Sequence, residues 1–176
     1  MRKRVGIVLV ALCALLAVAA AGLLVEIARP PAQVFPWLTE RDLARKWIGG
    51  LEAVEAPTEG APRVGFKERA VVVLGSERMT LEMEVVGFEG ARRIRYQVTG
   101  LDRPSIGFTE IVDLSVEPSE TGARFRAFGR MRYHRRLLRL FEPLMTRRAQ
   151  RKFQEDVRRL KSLVEAEPAE DGAPPP

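Results

Sequence analysis

The chain has 176 residues, a formal charge of +6, one cysteine and one histidine. A single cysteine excludes an intrachain disulfide and a cysteine-based zinc site, and the sequence holds no phosphate loop, G-x-S-x-G elbow or dinucleotide fingerprint. The charge is unevenly divided: Pro30 to Ala123 carries 11 Lys/Arg against 15 Asp/Glu, whereas Arg124 to Lys161 carries 14 against 3.

In chain order, the first feature is Val5 to Val25, an uncharged run directly after Arg2-Lys3-Arg4. About twenty apolar residues in a helix cross a bilayer, and cationic residues before a span tend to stay cytoplasmic. The run predicts one N-terminal transmembrane helix, an uncleaved signal-anchor with the remainder of the chain outside the cytoplasm. Ala19-Ala20-Ala21-Gly22 keeps a second reading open, a cleaved secretory signal that would release the domain. Cys13, in mid-span, reads as a small apolar filler.

Beyond the run, Pro31 to Leu38 and Thr39 to Trp47 predict two short helices, with Pro31 in a first turn and Thr39 as an N-cap. Period-two alternation then predicts strands over Thr80 to Val86, Ile94 to Val98, Ile106 to Leu114 and Ala123 to Met131. Gly75-Ser76-Glu77, Gly90-Ala91, Gly100 to Pro104 and Pro118 to Gly122 supply turns, so the strands form an antiparallel meander. A long helix is expected from about His134 to Ala166. Its apolar stripe Ala149, Phe153, Val157, Leu160 and Val164 lies in a different register from Leu137, Leu138, Phe141, Leu144 and Met145, with a hinge at Glu142-Pro143. Residues 167–176 are acidic and proline-rich and are expected to be disordered.

This order resembles the polyketide cyclase/dehydrase and lipid-transport superfamily, the helix-grip or START-like fold shared with the birch-pollen allergen group. The residues that carry the resemblance are Ile27-Ala28-Arg29-Pro30-Pro31-Ala32-Gln33-Val34-Phe35, Asp42-Leu43-Ala44-Arg45-Lys46-Trp47 and Leu160-Lys161-Ser162-Leu163-Val164-Glu165. It implies an α+β domain over residues 23–166, with a curved antiparallel sheet of about seven strands and a long C-terminal helix across it. It also implies a cavity for a lipid-like or other apolar molecule and leaves catalysis open; the missing fingerprints disfavour a diffusible cofactor, so none is expected, and oligomeric state stays open. Were Leu23 to Ala28 the first strand, the span would end near Gly22 and the domain would sit flush on the membrane.

The expected cavity lining is Trp47, Phe66, Glu68, Leu81, Met83, Tyr96, Phe108, Glu110, Phe125, Met145 and Phe153. Glu68 and Glu110 fall in inward phase, where a carboxylate has a raised pKa and can act as a general acid or base or orient a ligand; Tyr96 can offer a hydroxyl. They are the catalytic candidates. A bulge or a wet strand end would turn either carboxylate outward. His134 reads as a surface or capping residue. The basic segment, chiefly Arg135, Arg136, Arg139, Arg147 and Arg148, reads as a surface for anionic lipid, against the plainer reading of a solvated helix face. A domain outside the cytoplasm gives nucleic acid little opportunity as a partner.

Overall fold

The computed structural model describes residues 22–55, 60–74, 76–100, 107–134 and 142–168. Seven strands form from the alternating segments: β1 Leu23–Ile27, β2 Leu51–Glu55, β3 Lys67–Leu74, β4 Glu77–Glu89, β5 Arg93–Gly100, β6 Phe108–Ser119 and β7 Gly122–Tyr133. Three helical turns, α1 Pro31–Val34, α2 Pro36–Thr39 and α3 Arg41–Trp47, separate β1 from β2, and α4 Glu142–Ala166 follows β7. The strands make one antiparallel sheet in the order β1-β7-β6-β5-β4-β3-β2. β2 to β7 are the expected meander. β1 sits at the far edge because the helical segment carries the chain from one margin of the sheet to the other, and it pairs with β7 through Leu23↔Ala127, Val25↔Phe125 and Ile27↔Ala123.

Two glycines permit close passages at the margins. Gly122 opens β7 at φ +145°, where a Cβ would stand 2.4 Å from the Ile27 carbonyl oxygen, and Gly50 precedes β2 at φ +80°, where a Cβ would stand 2.2 Å from that of Val73. A bulge in β4 between Val85 and Gly87 keeps Val85 and Phe88 on the inner face and leaves Val86 exposed.

Three expectations need correction. The stretch after β1 forms three short helices, because Pro36 lacks an N–H and starts a new turn. Thr39 is not an N-cap: it ends α2, its Oγ1 bonds back to the Phe35 carbonyl at 3.4 Å, and Glu40 occupies the cap position of α3 without a side-chain cap bond. The last helix does not start at His134, which lies in a bend after β7, and the described helix is Glu142–Ala166. The earlier part of that expected helix, 135–141, lies outside the described residues.

The stripe Val157, Leu160 and Val164 of α4 is fully buried against the sheet with Ile27, Val34 and Phe125. Its end is tied to the corner after β1. Arg29 donates to the carbonyls of Glu165 (2.9 Å) and Glu167 (2.7 Å), the Ala28 N–H donates to Glu165 Oε1 (2.8 Å), and Lys161 Nζ donates to the Glu26 carbonyl. The Ala28 amide, followed by Lys161, holds the Glu165 carboxyl below its ordinary pKa. Higher on α4, buried Asp156 accepts from the Gly49 N–H (3.0 Å) and Lys152 Nζ (2.6 Å), locking the helix to the α3–β2 connection.

The predicted span, 1–22, lies outside the described residues except for Gly22. Among the described residues no helix is long and apolar enough to cross a membrane. Since β1 begins at Leu23, Leu23 to Val25 belong to the sheet.

Candidate ligand site on the inner face

Both candidate carboxylates face inward, and they share one row across the sheet. Glu68, Met83, Val98, Glu110 and Met131 are successive cross-strand partners from β3 to β7. Three strand spacings of about 4.8 Å put Glu68 and Glu110 roughly 14 Å apart along that row. The β4 bulge lies nearer Tyr96 and turns neither of them outward.

Their surroundings differ. Glu68 is buried and accepts a hydrogen bond and ion pair from Arg41 Nε at 2.8 Å, while the Arg41 guanidinium lies 6.0 Å from the centre of the Phe66 ring. Tyr96 donates to the Leu38 carbonyl over a long 3.5 Å, and burial, then the charge of Glu68, raises its pKa well above the usual phenol range. Arg41, Glu68 and Tyr96 thus join α2, α3 and the sheet. Arg41 was not legible as a site residue. The available signal was indirect: an inward carboxylate in an apolar core needs a cation, and the helices facing it were the place to look.

Glu110 has no such partner. No described residue donates to its carboxyl, which lies over Gly129 on β7, where a Cβ would stand 3.1 Å from Oε1. Burial alone pushes its pKa up to about 7.

Around Glu110 the inner face is incompletely covered. Leu81, Met83, Phe108, Val112 and Phe153 are only partly buried where they pack at the margin of the core. Phe66, Tyr96 and Glu68 are buried beside them. Trp47 and Phe125, expected on the cavity wall, are instead enclosed in the core with almost no open surface; the Trp47 indole N–H is satisfied by the Trp37 carbonyl at 2.8 Å. They act as wedges in different places: Trp47 lies where α3 packs on α4 and β2, and Phe125 pairs with Val25 beside the margin where α4 packs on β1. The side chain of Met145 lies outside the described residues.

The remaining candidates lie away from this face. His134 is exposed, with Nε2 2.9 Å from Thr109 Oγ1. On the outer face of β7, Arg124 pairs with Glu26 at 2.7 Å and Arg126 with Glu117 at 3.6 Å, while Arg130 and Arg132 are exposed without an ion pair among the described residues. Arg147 is exposed; Arg135, Arg136, Arg139 and the side chain of Arg148 lie outside the described residues. An open groove of about 710 Å³ runs over the outer face beside Leu24, Arg92, Asp113 and Phe128. Within its lining Asp113 is engaged: it accepts from Arg93 (2.6 Å) and from Arg95 (2.7 Å), which hold its carboxyl below the usual range. Among the described residues no group of His, Cys, Asp and Glu is placed to hold a metal ion.

Residues 23–165 match the family described as polyketide cyclase / dehydrase and lipid transport. Protein CV1439 from Chromobacterium violaceum is similar over 85% of this chain and 99% of its own, with a TM-score of 0.65 and 18% identity. Ara h 8.0201 is similar over 82% and 96%, with a TM-score of 0.63 and 13% identity. DynU16, a protein in the dynemicin biosynthetic locus, is similar over 84% of this chain and 48% of its own, with a TM-score of 0.61 and 16% identity. No curated protein matches the chain.

Proposed function

We propose, on the premise that this chain belongs to the polyketide cyclase/dehydrase and lipid-transport family, that it binds an apolar or amphipathic small molecule, such as a lipid, between the inner face of the sheet and α4. The carrying observation is the patch of half-covered apolar side chains, Leu81, Met83, Phe108, Val112 and Phe153, around Glu110. Apolar surface left open on a concave face favours an apolar occupant, because filling it removes that surface from water. Binding without chemistry is the better-supported form. Of the three catalytic candidates, Glu68 is neutralised by Arg41 and Tyr96 is bonded to Leu38, which leaves one free titratable group. Mass spectrometry of organic extracts from the purified chain tests the reading. A co-purifying apolar compound, lost on Met83→Arg, is expected; extracts and added hydrophobic dyes that show no protein-dependent binding would overturn it.

A second reading, turnover of an apolar substrate by a cyclase, dehydratase or hydrolase, draws support from Glu110 alone. Its pKa of about 7 suits a general acid or base.

The proposal includes a place. The uncharged run continues into β1, which begins at Leu23, so an uncleaved span leaves no linker and mounts the domain flush on the outer surface of the cell membrane. Leu24, 56% exposed, and the free Arg130 and Arg132 lie on the outer face near that mount, in reach of lipid and anionic headgroups. The intact mass of the chain in cells checks this: retention of residues 1–22 in the membrane fraction is expected, and a mature form starting near Leu23 in the soluble fraction would replace anchor with secretion.

A further inference from the structure

Glu110 is the one feature of the inner face that cavity binding does not explain. Glu110 is a half-buried carboxyl among Val98, Phe108, Val112 and Met131, with no donor among the described residues, and an apolar residue there would pack without the cost of desolvating a carboxyl. Space is kept for it: β7 carries glycine at 129, and a side chain there would crowd Oε1. Resting on the cavity reading above, we infer that Glu110 is the polar contact of the bound molecule and selects apolar compounds carrying a neutral hydrogen-bond acceptor, a ketone or similar carbonyl oxygen, over hydrocarbons and organic acids.

The selection follows from what surrounds the carboxyl. No described strand turns a cation to the inner face; Arg41, reaching it from α3, is engaged by Glu68, and Lys152 on α4 by Asp156. Among the described residues a carboxylate-bearing ligand therefore meets no free positive charge, only a second carboxyl. Among the described residues the other titratable groups on this face are Glu68 on β3, Tyr96 on β5 and Tyr133 on β7, and none of them bonds to Glu110. Burial keeps Glu110 neutral over the acid half of the physiological range, and a neutral carboxyl has one O–H to donate. A carbonyl oxygen accepts that proton without needing a charge of its own. A hydrocarbon fills the same space and leaves the donor unsatisfied.

The test uses the full chain in phosphatidylcholine nanodiscs, with empty discs as blank. Two fluorescent probes are compared, 6-propionyl-2-dimethylaminonaphthalene and its carbonyl-free counterpart N,N-dimethyl-2-naphthylamine. Dodecylamine serves as a cationic competitor. Wild type is expected to bind the ketone about tenfold more tightly than the carbonyl-free probe at pH near 5.5 and to lose that preference as pH rises through about 7. Glu110→Gln, which keeps a neutral donor, should hold the preference at both ends of the range. Glu110→Leu should lose it at both while still binding the carbonyl-free probe. Equal, pH-independent ketone binding by wild type and Glu110→Leu would overturn the inference and leave the cavity standing. Dodecylamine displacing the probe more strongly at high pH would overturn it in favour of a cationic ligand. Failure of both probes to bind any of the three proteins above the blank would overturn the cavity reading, and the inference with it.

Discussion

The two ends of the sheet are built from the same alternating pattern and have opposite fates. At the β1 end, Ile27, Val116, Ala123 and Phe125 are completely covered, because the last turns of α4 lie on them and Arg29, Lys161 and Glu165 fasten that helix to the corner after β1. At the other end, Leu81, Met83, Phe108 and Val112 belong to the same inner face but are only partly covered. One end of the grip is a sealed core and the other is left half open. What distinguishes them is where the helix is tied down, since both present comparable apolar side chains.

The largest expected effect is at the closed end. Phe125→Ala should cost about 3–5 kcal/mol in urea denaturation, the usual penalty for emptying a sealed aromatic site. A loss of about 1 kcal/mol or less would mean that this end is not the sealed one.

Glu110 makes the open end sensitive to pH. Its folded pKa of about 7 lies above the ordinary 4.5, so between those values the folded state keeps a proton that the unfolded state releases. Stability attributable to Glu110 is therefore undiminished below pH 4.5, falls as pH rises, and levels off above about 7. Glu110→Gln should match wild type near pH 4 and exceed it by about 1–3 kcal/mol at pH 8, as denaturation at the two pH values would reveal. An identical difference at both would remove the basis for a half-buried carboxyl with no described partner.

Between the two ends, Arg41→Met strands Glu68. Because Arg41 is itself 37% exposed, the expected cost is about 1–2 kcal/mol, well below that of a fully buried broken pair. Replacing both as Arg41→Met with Glu68→Leu should recover most of it in the same assay.

The smallest effect on stability belongs to Met83→Ala, about 1 kcal/mol or less for a half-covered side chain. If the open end is a receptacle, this variant should change the affinity for a hydrophobic dye more visibly than it changes the denaturation midpoint. The reverse outcome would make Met83 an ordinary core residue.

Much of this was readable along the chain. The meander, the turns, the stripe Val157, Leu160 and Val164, and the inward phase of Glu68, Tyr96 and Glu110 all follow from periodicity, which is a local property. The segments Ile27 to Phe35 and Leu160 to Glu165, which carried the resemblance, prove to be the two halves of the clamp that ties α4 to β1. Thr39 and the helix boundaries beside Pro36 were misread because cap preference is weak where three short turns follow one another. Asp156 carries no signal along the chain, because its partner Gly49 is 107 residues away and is brought to it only by the fold.

The sequence by itself determined which residues face inward and that one sheet and one long helix must cover each other, since apolar period and element length require it. Only the tertiary structure decided what each inward residue does. Glu68 and Glu110 are equivalent in phase, yet one meets Arg41 and the other meets no donor among the described residues, because α3 packs beside β2, from where Arg41 reaches the β3 end of the row and not its centre. Trp47 and Phe125 became wedges while Leu81 and Phe108 stayed half open for the same reason: the helices cover the first pair and stop short of the second.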